Sequence, residues 1–150
     1  MKNNPNNVFI DTNVLIGAYC NNDTDKRCLQ YLYSLKGKRL FISSLSVAQL
    51  VSVFQKKKIN KEIKQIVQDL LNKFTVIGFV QKDIENAMRL EYSDMEDSIQ
   101  YEICSKFKCG FFITNNIKDY RFFTNINVIK PLKIRIIAQK KRLFSVLKSL

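Results

Sequence analysis

Asp11, Asp97 and the run Thr114-Asn115-Asn116-Ile117-Lys118-Asp119 carry oxygen ligands at spacings that invite a chemical explanation. Asp11 directly follows the apolar run Val8-Phe9-Ile10, and the second group follows Phe111-Phe112-Ile113. The run Phe41-Ile42 is likewise followed by Gln49. In an open parallel sheet such strand ends meet on one edge, where ligands bind at the topological switch point. A chain of net charge +12 that gathers carboxylates in one place fits a divalent-cation site. The basic remainder then attracts a polyanion. The combination points to metal-dependent cleavage of a nucleic acid.

Each position also has a structural explanation. Asp11 suits the N-cap of a following helix, because its carboxylate accepts orphan amide bonds. Ser93-Asp94-Met95-Glu96 matches a capping box, with Ser93 at the cap and Glu96 returning the bond. That leaves Asp97 unaccounted for. It is expected across the helix from Met95, Ile99 and Ile103, in a first turn where the helix dipole favours an ionised acid. Asp94 shares its side and is either a secondary ligand or an alternative cap. Thr114 to Asp119 can form a turn and cap, yet Asn116 and Asp119 also suit a hard cation such as magnesium.

Composition removes the competing chemistries. The chain has no histidine, which excludes Ser-His-Asp and Cys-His systems, histidine bases and His-ligated zinc. Cys20, Cys28, Cys104 and Cys109 form no C-x-x-C pair and read as reduced thiols. Its four glycines form no G-x-G-x-x-G or Walker loop. No apolar run approaches the ~20 residues that cross a bilayer, and the polar start Met1 to Asn7 lacks a secretory core. A cytoplasmic protein with no membrane partner is expected.

Strand-forming runs alternate with helical spacing along the 150 residues. Strands are expected at 8–10, 40–42, 74–80, 111–114 and 126–129, the last stopped by Pro131. Helices are expected from Val14, across Cys28 to Leu35, over Leu45 to Phe54 with Ser43-Ser44 as its cap and Lys56-Lys57-Lys58 closing it, and over 61–73, 82–90 and 96–107. Asn21 to Thr24 reads as a turn. Such alternation gives an α/β three-layer fold with a mostly parallel central sheet. Lys130 to Leu150 carries seven Lys or Arg and no acid, and 138–150 reads as an amphipathic helix with Leu143, Phe144 and Leu147 on one side. Docking on the body, nucleic-acid contact and membrane-surface contact all remain open for it.

The blocks Val8-Phe9-Ile10-Asp11-Thr12-Asn13-Val14-Leu15, Asp94-Met95-Glu96-Asp97-Ser98-Ile99-Gln100 and Phe112-Ile113-Thr114-Asn115-Asn116-Ile117-Lys118-Asp119-Tyr120 resemble the PIN-domain family in order and spacing. The resemblance covers about residues 8–132, which sets a nuclease-like domain at 1–132 and leaves 133–150 as a basic, helical extension of the same unit. It implies a Rossmann-like α/β/α fold and single-stranded RNA cleavage dependent on Mg2+ or Mn2+. Many members are VapC-type toxins, which implies an antitoxin partner, and members often form homodimers. By position Asp11 resembles the first metal-binding acid and Asp97 the third, and Asn116 falls at the fourth, with Asp119 just beyond. Gln49 stands where the second acid is usually Glu, so weaker metal binding is expected.

If active, cations held by Asp11, Asp97 and Asp119 would activate water and steady the leaving oxygen, with Asp94, Gln49 and Thr114 in supporting places. By family analogy the products carry a 5′-phosphate and a 3′-hydroxyl. Lys56, Lys57 and Lys58 are candidate RNA contacts, although lysines closing a helix are equally explained by its dipole. Two alternatives stay open. One is a catalytically weakened or inactive module that binds RNA or protein. The other, a magnesium-dependent phosphatase or receiver domain, lacks its paired acids, since Asp11-Thr12-Asn13 supplies a single carboxylate.

Overall fold

β-Branched and aromatic residues alternate along the short strands, and that alternation builds the two faces of one sheet. A computed structural model describes residues 2–57, 62–92 and 94–149. Its elements run β1 (Asn4–Ile10), α1 (Thr12–Tyr19), α2 (Asp23–Ser34), β2 (Arg39–Ser43), α3 (Ser44–Lys56), α4 (Ile63–Lys73) and β3 (Thr75–Ile77). They continue with α5 (Gln81–Met88), α6 (Met95–Lys106), β4 (Cys109–Ile113), a 3-10 turn (Ile117–Tyr120), β5 (Asn127–Ile129) and α7 (Pro131–Ser149). The strands pair in the order β3-β2-β1-β4-β5, every pair parallel.

Because strand side chains alternate in direction, Val8, Ile10, Leu40, Ile42 and Ile113 enter one core with residues of α1, α2, α3, α4 and α7. Phe9, Phe41 and Phe112 enter the other, with Ile103 and Cys104 of α6 and Tyr120 and Phe123 from the loop after β4. The three-layer α/β/α arrangement follows from covering both faces. The chain order reverses at the β1–β4 junction, so the C-terminal ends of those two strands bound the switch-point crevice.

Several sequence expectations change. The polar stub is the start of β1: Asn4 N–H donates to Lys108 O at 2.8 Å, and backbone pairing needs no apolar side chain. The strands pass closely there, since a Cβ on Gly110 would lie 2.7 Å from Asn4 O. The strand expected over 74–80 keeps only Thr75–Ile77, because Val80 N–H turns to Asp83 Oδ2 at 2.8 Å and opens α5. The turn expected at 21–24 is shorter, with Asn22 capping α2 through Asp25 N–H. Leu71 on α4 is exposed.

At α6 the cap is Asp94, whose Oδ1 accepts from Glu96 N–H at 2.8 Å and Asp97 N–H at 3.1 Å. Ser93, Lys58 and Lys61 lie outside the described residues. Met95 is exposed instead of sharing a buried stripe with Ile103. Pro131 starts α7 instead of merely stopping β5, as suits a residue whose missing N–H costs nothing at the first helical position. Leu143 and Leu147 face solvent.

Candidate active site

The Ile10–Asp11 step delivers a carboxylate to the crevice at the end of a buried central strand. Asp11 caps α1, its Oδ1 accepting from Thr12 N–H at 2.7 Å, so the structural explanation of this residue is correct as far as it goes. Its Oδ2 accepts from Thr114 Oγ1 at 2.7 Å and from Asn13 Nδ2 at 2.9 Å. Thr114, at the end of β4, also accepts from Asn116 N–H at 3.0 Å. Asn13 Oδ1 takes the Asn115 N–H at 3.1 Å. The two strand ends are thus tied to one another through side chains.

From the opposite face, the first turn of α6 presents Asp97. Tyr120 Oη donates to Asp97 Oδ1 at 2.6 Å. From the third side, α3 presents Gln49: Thr12 Oγ1 donates to Gln49 Oε1 at 2.8 Å, and Gln49 Nε2 donates to Glu96 Oε1. Asp11, Thr12, Asn13, Ile16, Gln49, Ser52, Val53, Glu96, Asp97, Asn116 and Tyr120 line one cleft of about 430 Å³. Three of these are acids and none is a lysine or arginine.

Burial dominates the electrostatics. It raises the Asp11 carboxyl from its ordinary 3.8 to about 6, against the lowering bonds from Thr114 and Thr12, and the Asp97 charge adds to the rise. Asp97 is also raised, first by burial, with Asp94, Asp119 and Glu96 repelling its charged form against the Tyr120 bond. The Tyr120 phenol is pushed far up by burial and by the two acids beside it, so it stays protonated and donates.

Of the sequence-predicted residues, the structure brings together Asp11, Asp97, Gln49 and Asn116 around the cleft, with Thr114 bonded to Asp11 just beneath. Asp94 is engaged as a cap. Asp119 is exposed and outside the lining, although its charge reaches Asp97. Lys56 lies on the same α3 face as Gln49, Ser52 and Val53, one turn beyond the rim. Lys57 instead points its Nζ at Cys20 Sγ, 3.2 Å away. Neither lysine lines the cleft.

Sequence reasoning missed Tyr120 and Glu96 as lining residues. Tyr120 closes the third motif block, and a capping role alone accounts for Glu96 in the linear pattern. Their neighbours Asp119 and Asp97 were the available signals.

Among the described residues, no three acids or thiols close into a ready-made metal cage. The donors present are the buried Asp11 carboxylate, the half-buried Asp97, the exposed Glu96 and neutral oxygens, with no thiol and no imidazole in the lining. That set suits a hard dication that keeps most of its own waters, as Mg2+ or Mn2+ does.

Comparisons with known proteins agree with this architecture. The ribonuclease VapC1 of Aquifex aeolicus is 26% identical over 133 residues, covering 78% of this chain and 86% of that protein. Two solved structures share the fold. One is VapBC2 of Rickettsia felis bound to a DNA fragment from its promoter, at 19% identity and TM-score 0.64, covering 83% of this chain and 98% of that one. The other is a toxin–antitoxin complex from Klebsiella pneumoniae, at 23% identity and TM-score 0.64, covering 83% and 97%. The sequence model of the PIN domain matches residues 7–118, well over half of the chain. With Asp11, Asp97 and the strand-end motif meeting at the switch point of a five-stranded parallel sheet, this chain belongs to the PIN-domain family.

Proposed function

We propose that the chain is a divalent-metal-dependent endoribonuclease that hydrolyses single-stranded RNA and serves as the toxin of a toxin–antitoxin pair. The observation that carries this is the pairing of buried Asp11 with Asp97 in one cleft whose lining, among the described residues, holds no lysine or arginine. Two acids that repel each other there leave a strong demand for an external cation. A bound Mg2+ or Mn2+ supplies Lewis acidity, lowering the pKa of a water and offsetting phosphate charge.

The protein's own residues do the positioning. Asp11 Oδ2 accepts from Thr114 and Asn13 and Oδ1 from the Thr12 amide, which fixes the carboxylate at the cleft wall. Tyr120 orients Asp97 by donating to Oδ1, leaving Oδ2 for a ligand. Asn116 adds a neutral oxygen at the cleft wall. Asp119 contributes its field from outside. Lys56, beyond the rim on the α3 face, is placed to meet the RNA backbone. The similarity to a VapC1 ribonuclease supports the reaction class, and the toxin–antitoxin complexes among fold relatives support a protein antitoxin as partner.

Gln49 favours a second reading, a weakened or non-catalytic RNA-binding module. Its amide oxygen is taken by Thr12 and its amide nitrogen by Glu96, so it offers neither charge nor a strong ligand. Glu96 counters that loss by bringing a carboxylate to the same wall of the cleft. The test is cleavage of a mixed single-stranded RNA pool with manganese. Asp11→Asn and Asp97→Asn should each lower the rate by about a hundredfold or more, in line with loss of a metal ligand, with unchanged circular dichroism. Cleavage that survives both substitutions, or proceeds equally in EDTA, overturns the nuclease reading. RNA retention without cleavage by the native protein favours the second.

A further inference from the structure

The last helix of the chain has a second apolar face that nothing in the fold uses. Pro131 and Ile134 are buried and Ala138 half-buried, which docks the first two turns of α7 on the body beside α2. Arg135 anchors the same region through Thr24 Oγ1 at 2.8 Å and Asp23 at 3.4 Å. From Gln139 to Ser149 every residue whose side chain is described faces solvent. Along one side run Leu132, Ile136, Gln139, Leu143 and Val146, with the four apolar members 52%, 43%, 61% and 50% exposed, and Ile137 and Leu147 are exposed outside this row.

Their spacing is four, three, four, three. That is the heptad pattern of a two-helix seam, in which the apolar row keeps facing one partner helix. Four large apolar side chains exposed in one line on a helix are otherwise a costly surface. The flanking heptad positions hold Lys133, Lys140 and Leu147 on one edge and Arg135, which also pairs with Asp23, Arg142 and Ser149 on the other, and α7 contains no acid at all. Flanking charges set partner choice in such pairs. A second copy of α7 would oppose cation to cation in either orientation, on top of the repulsion between two chains of net charge +12. A nucleic acid would use the cations but not the apolar row. A flat anionic membrane would not require a seven-residue register.

We propose that α7 is a docking helix for an acidic amphipathic helix of a partner protein, paired along Leu132, Ile136, Leu143 and Val146. Gln139, the one polar member of the row, would fix the register, as single polar seam residues do. The described seam is about 20 Å long at the helical rise, and the body holds its first half in place before binding. This surface is independent of the cleft and stands whether or not the nuclease reading does.

The test uses the full chain and a synthetic helix about three heptads long, with Leu and Val at the seam and Glu at both flanks. The Glu peptide should bind in calorimetry, weaken about tenfold from low to high salt, and gain helicity. A counterpart with Lys at the flanks should not bind. Leu143→Gln with Val146→Gln should abolish binding without altering the melting temperature, since both residues are exposed. Lys140→Glu with Arg142→Glu should move preference toward the Lys peptide. The proposal is overturned if neither peptide binds or if binding ignores the seam substitutions. It is equally overturned if the seam substitutions abolish only binding to phosphatidylglycerol vesicles, or only a homodimer seen by sedimentation.

Discussion

Asp11 shows how one side chain carries both a structural and a chemical role. It caps α1 and ties β1 to β4 through Thr114, and the same burial that secures those bonds raises its carboxyl to about 6. A group whose folded pKa lies above its unfolded value adds stability below the unfolded value and loses it as pH climbs through the folded one. The metal-free protein should therefore melt at a higher temperature near pH 5 than near pH 7. The full swing available from Asp11 is roughly 3 kcal/mol at 1.36 kcal/mol per unit, of which about 1.3 kcal/mol falls between pH 5 and pH 7. Asp83, held low by the Val80 amide and Lys106, titrates below that window. Calorimetry in EDTA on native protein and Asp11→Asn checks this: the substitution should flatten the slope and raise neutral-pH stability. A slope unchanged by it would refute the assignment. Asp11, Asp97 and Asn116 were visible as motif residues, because their types and neighbours are local in sequence. Tyr120 and Glu96 were not, because their roles depend on which way a turn and a cap point them.

At the scale of elements, short segments fixed by backbone pairing were the hardest to read. Nothing in Asn4–Asn7 marks a strand, and pairing with β4 makes them one. The helix junctions are set by close contacts that a linear pattern does not display. Asp25 at the start of α2 is buried, and both its oxygens accept from Asn115 Nδ2, at 3.1 and 3.2 Å. A Cβ on Gly17 of α1 would fall 1.9 Å from Asp25 Oδ2. The contact couples the α1–α2 corner to the loop that carries Thr114 and Asn116. Gly17→Ala should cost about 1–3 kcal/mol, the usual penalty of overfilling a packed site. It should also weaken manganese binding measured by calorimetry, through displacement of the Asn115 loop. Equal stability and equal affinity in the variant would show that Asp25 moves aside freely.

For the whole molecule, charge is distributed unevenly: an acid-lined cleft sits in a chain of net charge +12. That field speeds encounter with a polyanion and concentrates its backbone around a site that itself repels phosphate until a cation binds. If Lys56 meets the RNA backbone, Lys56→Gln should lower the slope of log affinity against log salt by about 0.7, the value for one phosphate of a single strand no longer neutralised. Filter binding with Asp11→Asn as the non-cleaving background measures it, and an unchanged slope removes Lys56 from the interface. Among the described residues no helix is long and apolar enough to cross a membrane. The sequence by itself determined the layer class, the period-two strands and the identity of the acids, because hydrophobic spacing and residue chemistry are local properties. Only the tertiary structure decided that Glu96 and Tyr120 share the cleft, that Asp119 stands outside it, and that the far half of α7 projects bare. Those outcomes depend on how strands register and helices pack across separations from 23 to 103 residues, distances over which a linear pattern exerts no force.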